Sequence, residues 1–423
     1  MLKKLSLAAL VALGSVSVAS ATPLTDAIKN VDLSGMLRIR FYNENPGDDD
    51  ANNWNRWRTN GIFIFKIPVD EHIKFVYRAS VQTYFKSDDD SAEGIPGNNN
   101  LKALALNDVD TGTMNNLLFM AYSNNGLNAI IGKIPVKTPI TGADPATPGH
   151  GAGIIASYNL GNGLSIAAGY IDALKHADPF DYYNYAGDLI TTSLYTGAVT
   201  YKNDLVNAEA WYFKMPNLLK HEYILSAKVK ALKEYGVTIE ANYASSKLDD
   251  NKKYNYDGTN VDLSKMDDTK KYFDITVKYD NAGIHALVGY ANSSDDAGVI
   301  TTSDDSPLGQ LPVHQLDNMA NEYDMDAWYA MLGYDVTSAL NVSVRYANFD
   351  AGSDVLKDAA GKTYEKDADE WVVQADYKYN KKLSFQAYYS VLDYDKFDTV
   401  TDATSGNKYT DNNEFRFQAL YKF

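Results

Sequence analysis

The feature that most constrains the fold of this 423-residue chain is a period of two in side-chain polarity. In the segment "LSGMLRIRFY", residues 33–42, the odd-numbered positions are apolar or glycine, while the even-numbered positions include Ser34, Arg38 and Arg40. The segment "HIKFVYRASVQTYF", residues 72–85, alternates in the same way. Successive side chains of a strand point to opposite faces, so these runs predict strands with one apolar and one polar face.

The alternation continues to the last residue of the chain. "FRFQALYKF", residues 415–423, has an apolar side chain at every odd-numbered position, with Leu420 as the one exception between them. Chain termini are usually poorly ordered unless a sheet or another element holds them. A last strand that closes a barrel against the first strand explains why the pattern runs to Phe423.

Very short connections alternate with long ones between the strand-like runs. The short connections are rich in Asn and Gly, as in "NNG" at 124, "GNG" at 161 and "NAG" at 281, because tight hairpins need positive φ. The long connections are polar and acidic, as in "KSDDDSAEGIPGNNN". The runs between them number about eighteen, an even number as outer-membrane barrels require.

We therefore predict an all-β fold: a transmembrane antiparallel β-barrel of about 18 strands, with short periplasmic turns, long extracellular loops and an inward-folded third loop. A soluble β-sandwich is the alternative, since its strands alternate too. The barrel is favoured because Arg and Lys occupy many inward positions, where a sandwich core would bury them unpaired. Closure also satisfies every backbone hydrogen-bonding group in lipid.

The N-terminus is typical of an export signal. Lys3 and Lys4 precede a short apolar run and then Ala19-Ser20-Ala21, an A-x-A cleavage pattern. The run is shorter than the roughly 20 residues of a membrane helix. We predict a signal peptide over residues 1–21, cleaved on export, and one barrel domain over residues 22–423 of a Gram-negative outer-membrane protein.

Charge and composition exclude several classes of protein. The formal charge is −16, and removal of two leader lysines lowers it from −16 to −18, which argues against nucleic acid as a partner. Cysteine is absent, so disulfides and thiolate metal sites are excluded. The 32 tyrosines suit a membrane–water boundary. The serine-hydrolase, zinc-protease and P-loop motifs are absent, and we expect no enzyme.

The arginines are concentrated on a few strands. Six of the seven fall on the first three strands and the last one, which would be neighbours around a closed wall. They occupy the polar face, and we expect a basic ladder lining the pore. The alternative is scattered wall charges, each paired with Asp or Glu. The ladder residues are Arg38, Arg40, Arg56, Arg58, Arg78 and Arg416.

A ladder controls a pore only where an opposing element narrows the lumen. The third long connection, "KTPITGADPATPGHG", residues 137–151, is rich in Pro and Gly and suits a compact loop. We predict that it folds inward as the constriction, with Lys137, Asp144 and His150 as its titratable groups. An ordinary surface loop is the alternative.

Four segments resemble one known family. "ATPLTDAIKNVDLSGMLRIRFYNE", "FRFQALYKF", "NKKLSFQAYYSVLDYD" and "IIGKIPVKTP" are similar to the major outer membrane porins of Campylobacter and its relatives. The resemblance implies a homotrimer, a water-filled channel and a calcium ion near the constriction. It also implies that the barrel-assembly machinery reads the terminal Phe423.

Calcium needs several hard oxygen ligands, usually including carboxylates. The resemblance suggests ligands on the inward loop and on neighbouring loops, and the nearest acidic residues are Asp144, Asp178 and Glu322. The acidic groups at 48–50, 88–90 and 304–305 lack EF-hand spacing, and we expect a solvated extracellular surface there, with divalent bridges to lipopolysaccharide as a secondary possibility.

These patterns predict a general diffusion porin that passes ions and small hydrophilic solutes through the outer-membrane lipid without a covalent step. The net acidity predicts a weak cation preference. A surface adhesin or structural barrel with a plugged lumen is one alternative, and a substrate-specific channel is another.

Overall fold

The computed structural model is a closed antiparallel barrel of 18 strands. The structure describes residues 31–46, 54–87, 116–145, 148–175, 183–184, 193–216, 219–248, 254–256, 259–261, 269–294, 299–303, 305–316, 318–357, 363–398 and 411–423. The predicted fold class and strand number are confirmed. The proposed leader, residues 1–21, lies outside the described residues.

The strands are numbered β1 to β21 in chain order. The barrel strands are β1 (Asp32–Pro46), β2 (Trp54–Pro68), β3 (Ile73–Ser87), β4 (Leu117–Asn124), β5 (Leu127–Pro135), β6 (His150–Gly161), β7 (Leu164–Lys175), β9 (Leu194–Lys202), β10 (Val206–Met215), β11 (Leu219–Leu232), β12 (Val237–Leu248), β15 (Thr269–Asn281), β16 (Ile284–Ser293), β17 (Asp326–Asp335), β18 (Leu340–Lys357), β19 (Thr363–Lys378), β20 (Leu383–Asp398) and β21 (Asn412–Lys422). A separate small sheet contains β8 (Tyr183–Asn184), β13 (Tyr254–Tyr256) and β14 (Thr259–Val261). No helix in the described ranges is long and apolar enough to cross a membrane.

The barrel closes where β21 pairs with β1. The N–H of Gly35 donates to the carbonyl oxygen of Phe423 at 3.0 Å, and the N–H of Phe423 donates to the carbonyl oxygen of Gly35 at 3.1 Å. The rings of Phe423 and Phe63 lie 6.0 Å apart between centroids. The last residue is therefore paired and packed, which explains the alternation that runs to the end of the chain.

Eight short turns join neighbouring strands at one rim, called the short-turn rim below, and the three connections quoted from the sequence are among them. In the turns 125–126, 162–163 and 282–283, both central residues have positive φ, from 45° to 84°. This is the turn geometry whose twist matches that of the flanking strands. Asn and Gly supply it at the first two turns, and Ala282 adopts it ahead of Gly283 at the third.

The two faces of each strand differ as the alternation predicts. On β1, Leu33, Leu37 and Ile39 are exposed on the outer surface, whereas Met36 and Arg38 are buried on the inner one. Leu420, the exception in the last strand, lies on the inner side and packs against the pair formed by Met36 and Ile62.

Aromatic side chains form a band on the outer surface, closer to the long-loop rim. Several of them touch across strands: Tyr170 and Tyr195 lie 5.0 Å apart between ring centroids, and Tyr290 and Trp328 lie 4.6 Å apart. Such bands mark the membrane–water boundary of barrels. The members of this outer aromatic band are Phe41, Trp57, Tyr170, Tyr195, Tyr212, Tyr223, Tyr243, Phe273, Tyr290, Trp328, Tyr346, Trp371, Tyr389 and Phe415.

The connections at the long-loop rim vary more than the sequence suggested. Two of them are short, because residues 216–218 and 358–362 alone separate their strands. Two others turn into the lumen in their described parts. Loop A is the described part of residues 136–149, between β5 and β6, and loop B is the described part of residues 294–325, between β16 and β17. Loop A is the predicted inward third loop. Loop B was expected to be an ordinary polar surface loop, and that expectation is wrong.

Candidate functional site

Neighbouring strands bring arginines together on one part of the inner wall. Arg40 on β1 lies directly opposite Arg58 on β2. One step nearer the long-loop rim, Tyr42 lies between Arg56 on β2 and Arg416 on β21. Like charges that face each other across two strands repel, so other contacts must hold this arrangement.

Amide oxygens provide much of that support. An amide oxygen accepts a hydrogen bond but has no net charge, so it orients a guanidinium without neutralising it. Arg56 differs, because it contacts a carboxylate, that of Glu44, at 3.3 Å. The arginine–amide pairs are Arg40 with Gln418 at 2.6 Å, Arg58 with Gln82 at 3.0 Å and Arg416 with Gln386 at 3.1 Å.

Two tyrosines pack among these guanidinium groups. The guanidinium carbon of Arg56 lies 4.4 Å from the ring centroid of Tyr42, and that of Arg416 lies 4.3 Å from the ring centroid of Tyr388. Cations are attracted to the face of an aromatic ring at such distances. The rings of Tyr42 and Tyr388 therefore help to fix the guanidinium planes of Arg56 and Arg416.

Arg38 and Arg78 connect the wall to loop A. Arg38 forms a two-pronged ion pair with Asp144, with nitrogen–oxygen distances of 3.0 and 3.1 Å, and its side chain is buried. Arg78 donates to the carbonyl oxygen of Pro145 at 2.7 Å. Loop A thus crosses from its own strands, β5 and β6, to β1 and β3.

The other residues predicted in loop A have different surroundings. Lys137 is exposed within the loop. His150 is the first residue of β6 rather than part of the loop, and it is buried with Nδ1 3.0 Å from the carbonyl oxygen of Pro148. The predicted boundary at Gly151 was therefore too late by two residues, because β6 pairing begins at His150.

Loop B lies against loop A inside the barrel. The carbonyl oxygen of Ile140 accepts hydrogen bonds from the N–H of Thr302 at 2.7 Å and from the hydroxyl of Ser306 at 2.9 Å. The carboxylate of Asp305 accepts the N–H of Asp144, so the residue that pairs with Arg38 is held by loop B as well. Asp305 was expected on a solvated outer surface; it is instead part of the joint between the loops. Residues 48–50, 88–90 and 304 lie outside the described residues.

A buried carboxylate fastens the far end of loop B to the wall. Glu370 on β19 accepts the N–H groups of His314, Gln315 and Leu316 at 2.9, 2.9 and 2.7 Å, and the hydroxyl of Ser390 at 2.7 Å. Three successive N–H groups around one carboxylate resemble the backbone nests that bind anions. The other end of the loop has a related contact, since the N–H of Ile300 donates to Glu222 on β11.

His314 places an aromatic ring beside the basic ladder. Its ring stacks on Tyr388 with 3.9 Å between centroids, and its Nε2 lies 2.7 Å from Oε1 of Gln374. Burial, and after it the charge of Arg416, lowers the pKa of His314 to about 3. The ring is therefore neutral at pH 7.

Apolar residues of both loops form one buried cluster with the inner wall. Ile140 of loop A and Val299, Leu308 and Leu316 of loop B belong to it, as does Phe213 of β10. Polar loops that lay free in a channel would not bury such residues. The two loops therefore act as one packed body that narrows the lumen on the side facing the arginines.

The predicted metal ligands do not form a described cluster. Both carboxylate oxygens of Asp144 bind Arg38, and Glu322 contacts Nζ of Lys366 at 3.0 Å. Asp178 lies outside the described residues. Within the ranges that the structure describes, no three His, Asp or Glu side chains are grouped to hold a metal ion. Asp144 and Glu322 therefore do not fit calcium as they stand, and the calcium site stays a prediction.

Apolar residues in the sequence of loop B indicated that it is buried, but the acidic residues around them obscured this pattern. Between the acidic residues of this connection are Val299, Leu308, Leu311, Leu316 and Met319, all of which are buried. So many large apolar residues in a connection of this length indicate burial rather than a solvated loop. No comparable pattern in the sequence indicated which glutamines contact the arginines, because these contacts depend on the register in which the strands pair.

Solved structures with the same fold come from Pseudomonas aeruginosa and Acinetobacter baumannii. OpdQ of Pseudomonas aeruginosa superposes with a TM-score of 0.66 at 15% sequence identity, covering 93% of this chain and 99% of that one. OccAB1 of Acinetobacter baumannii has a TM-score of 0.67 at 14% identity, covering 93% and 97%. OccK3 (OpdO) of Pseudomonas aeruginosa has 0.66 at 14% identity, covering 95% and 97%. At these identities the likeness concerns the fold.

Sequence comparison gives a family for the whole chain. The family model described as Campylobacter major outer membrane protein matches residues 1–423. A search of curated proteins finds no match.

Proposed function

Since the chain belongs to the Campylobacter major outer membrane protein family and folds as an outer-membrane β-barrel, we propose that it is a general diffusion porin. The family and the fold indicate a channel rather than an enzyme. Ions and small hydrophilic solutes would cross a water-filled lumen down their gradients, with a weak cation preference. The active form is a homotrimer in outer-membrane lipid and lipopolysaccharide, exported with residues 1–21 removed and assembled through Phe423.

The observation that carries this proposal is a row of oriented arginines on the inner wall of the barrel, beside two loops that pack together inside it. Arg40, Arg58 and Arg416 are oriented by amides on one part of the inner wall, and loops A and B pack against each other inside the barrel. Fixed charge along a narrowed aqueous passage is how pores select ions by sign. The cation preference rests on the net charge of −16 and on the pairing of Arg38 with Asp144 and of Arg56 with Glu44.

The test is conductance in a planar bilayer under a KCl gradient, using purified full-length protein. Large steps that occur in threes, with a reversal potential on the cation side, are expected. Steps with a reversal potential on the anion side would support the porin and assign its ion selectivity to the positive charge of the ladder. Protein that inserts but conducts nothing would overturn the proposal in favour of an adhesin or structural barrel.

A substrate-specific channel is the second candidate. The apolar cluster of loops A and B favours it, because a rigid obstruction shapes a passage more tightly than a mobile loop does. Flux that saturates with the concentration of one solute, and current that this solute blocks, would distinguish it from general diffusion.

A further inference from the structure

One carboxylate of the inner wall has fewer contacts than its burial requires. Glu222 on β11 is fully buried, and its Oε2 accepts the N–H of Ile300 in loop B at 3.1 Å. Its Oε1 is buried as well but has no hydrogen-bond partner among the described residues. Glu370, the other buried carboxylate that fastens loop B, accepts four hydrogen bonds. A buried carboxylate must be hydrogen-bonded, paired or neutralised, so Glu222 needs a further partner.

Two hydroxyl groups beside Glu222 lack a partner as well. Ser246 of β12 lies directly opposite Glu222 in the strand register, and Thr301 follows Ile300 in loop B. Both side chains are fully buried, and neither hydroxyl oxygen has a hydrogen-bond partner in the part of the chain that the structure describes. Most buried polar atoms of folded proteins do have one. Three exceptions in one place, all of them oxygen atoms, indicate one shared ligand.

The described side chains supply no positive charge to this place. Within the described ranges, no Lys, Arg or His forms an ion pair with Glu222. Lys270 of β15 lies one strand beyond, opposite Ser246, and its contacts are with other groups. On the other side of Glu222, the residue opposite it on β10 is the buried Phe213. A carboxylate without a counter-charge is costly in such surroundings, so a cation from solution suits the site.

We propose that Oε1 of Glu222 and the hydroxyl oxygens of Ser246 and Thr301 bind a monovalent alkali cation, Na⁺, between the wall and loop B. Carboxylate and hydroxyl oxygens are hard ligands, and hard cations prefer them. One carboxylate balances a single positive charge, whereas a divalent ion would leave an excess charge buried. The cation holds Thr301 against β11 and β12, so an ion fastens the start of loop B where hydrogen bonds to Glu370 fasten its later part. Such a site is independent of which solutes cross the lumen.

Salt replacement tests the site in purified full-length protein in detergent. Urea unfolding is measured in NaCl and in choline chloride of equal ionic strength, because choline is too large to enter such a site. A ligand that binds only the folded state stabilises it, so the wild type is expected to unfold at a higher urea concentration in NaCl. The Na⁺ concentration of half-maximal effect gives the affinity. Removal of either hydroxyl, in Ser246→Ala or Thr301→Val, is expected to raise that concentration about tenfold.

Glu222→Gln separates cation binding from a merely structural role. The amide keeps the shape of the carboxylate without its charge, so the variant should unfold at the same urea concentration in both salts. In choline chloride it should be more stable than the wild type, because it buries no unbalanced charge. Glu209→Gln is the matched control, since Glu209 lies on neighbouring β10 and its carboxylate accepts the indole N–H of Trp211 at 2.9 Å. This control should keep the wild-type response to NaCl.

Three outcomes would overturn the proposed site. The first is equal stability of the wild type in NaCl and choline chloride, which would mean that a proton neutralises Glu222. The second is a Glu222→Gln variant that responds to NaCl as the wild type does. The third is a wild type stabilised by CaCl₂ but not by NaCl, which would assign the charge to a divalent ion. If Glu222→Gln does not fold, the wild-type comparison and the two hydroxyl variants still decide.

Discussion

Glu370 is the single residue on which the position of loop B most depends. Its carboxylate accepts three backbone N–H groups and one hydroxyl, and it is fully buried. In Glu370→Gln one acceptor oxygen becomes an NH₂ group that faces N–H donors, so one or two of these bonds are lost. Leaving buried donors unsatisfied costs about 1–3 kcal/mol each.

We therefore expect Glu370→Gln to release the end of loop B. Single-channel conductance should increase, and open-state current noise should rise, while the barrel still folds. Asp369→Asn is the control, because Asp369 precedes Glu370 on β19 and its side chain contacts Tyr346 on the outer wall. Equal conductance in both variants and the wild type would show that Glu370 does not position the loop.

His314 makes the packing of loop B against the wall depend on pH. Its pKa is about 3 in the folded protein, whereas an unfolded histidine titrates near 6.5. Below pH 6.5 His314 binds a proton when loop B is released from the wall but stays neutral when the loop is packed. The packed state therefore loses stability as the pH falls towards 3. Current noise in the wild type should rise between pH 7 and pH 4.

His314→Phe isolates this contribution, since a phenylalanine ring retains the stacking on Tyr388 but cannot bind a proton. The increase in noise on acidification should be smaller in the variant than in the wild type. Identical pH profiles would assign the acid response to carboxylates instead.

At the scale of elements, the two loops fit together at Gly142. A Cβ atom there would lie 2.7 Å from Oδ1 of Asp305 and 3.0 Å from Oγ of Ser303, both in loop B. Gly142→Ala should therefore push the loops apart and destabilise the protein by about 1–3 kcal/mol, as overpacking does. Urea unfolding in detergent measures this. Gly197→Ala is the control, because its nearest neighbour would be 3.8 Å away, and an equal cost in both variants would argue against a tight joint.

The strands and turns were predictable because their signals are local. A period of two and an Asn-Gly pair each specify backbone geometry within a few residues. The same alternation predicted that the arginines face inward. Closure of the wall then made the first three strands and the last one neighbours. Loop B was not predictable in this way, since its burial depends on Glu370, Glu222 and loop A, which are distant in sequence. The shortness of 216–218 and 358–362 had no local signal in the composition either.

At the scale of the whole molecule, closure of the barrel and narrowing of the lumen depend on the same strands. β1 pairs with β21 to close the wall, and β1 also holds Arg38, which fastens loop A through Asp144. A change that loosens this seam should therefore reach the constriction without touching either loop.

Removal of Phe423 tests the seam directly. The deletion eliminates two backbone hydrogen bonds to Gly35 and the ring contact with Phe63, each worth about 1 kcal/mol. Purified protein refolded from urea into detergent should unfold about 3–4 °C below the wild type. This comparison involves no assembly machinery. Phe63→Leu removes the ring contact and keeps both hydrogen bonds, so it should show a smaller decrease. If the deletion unfolds at the wild-type temperature, the terminal residue serves assembly alone, and the seam is held by the rest of β21.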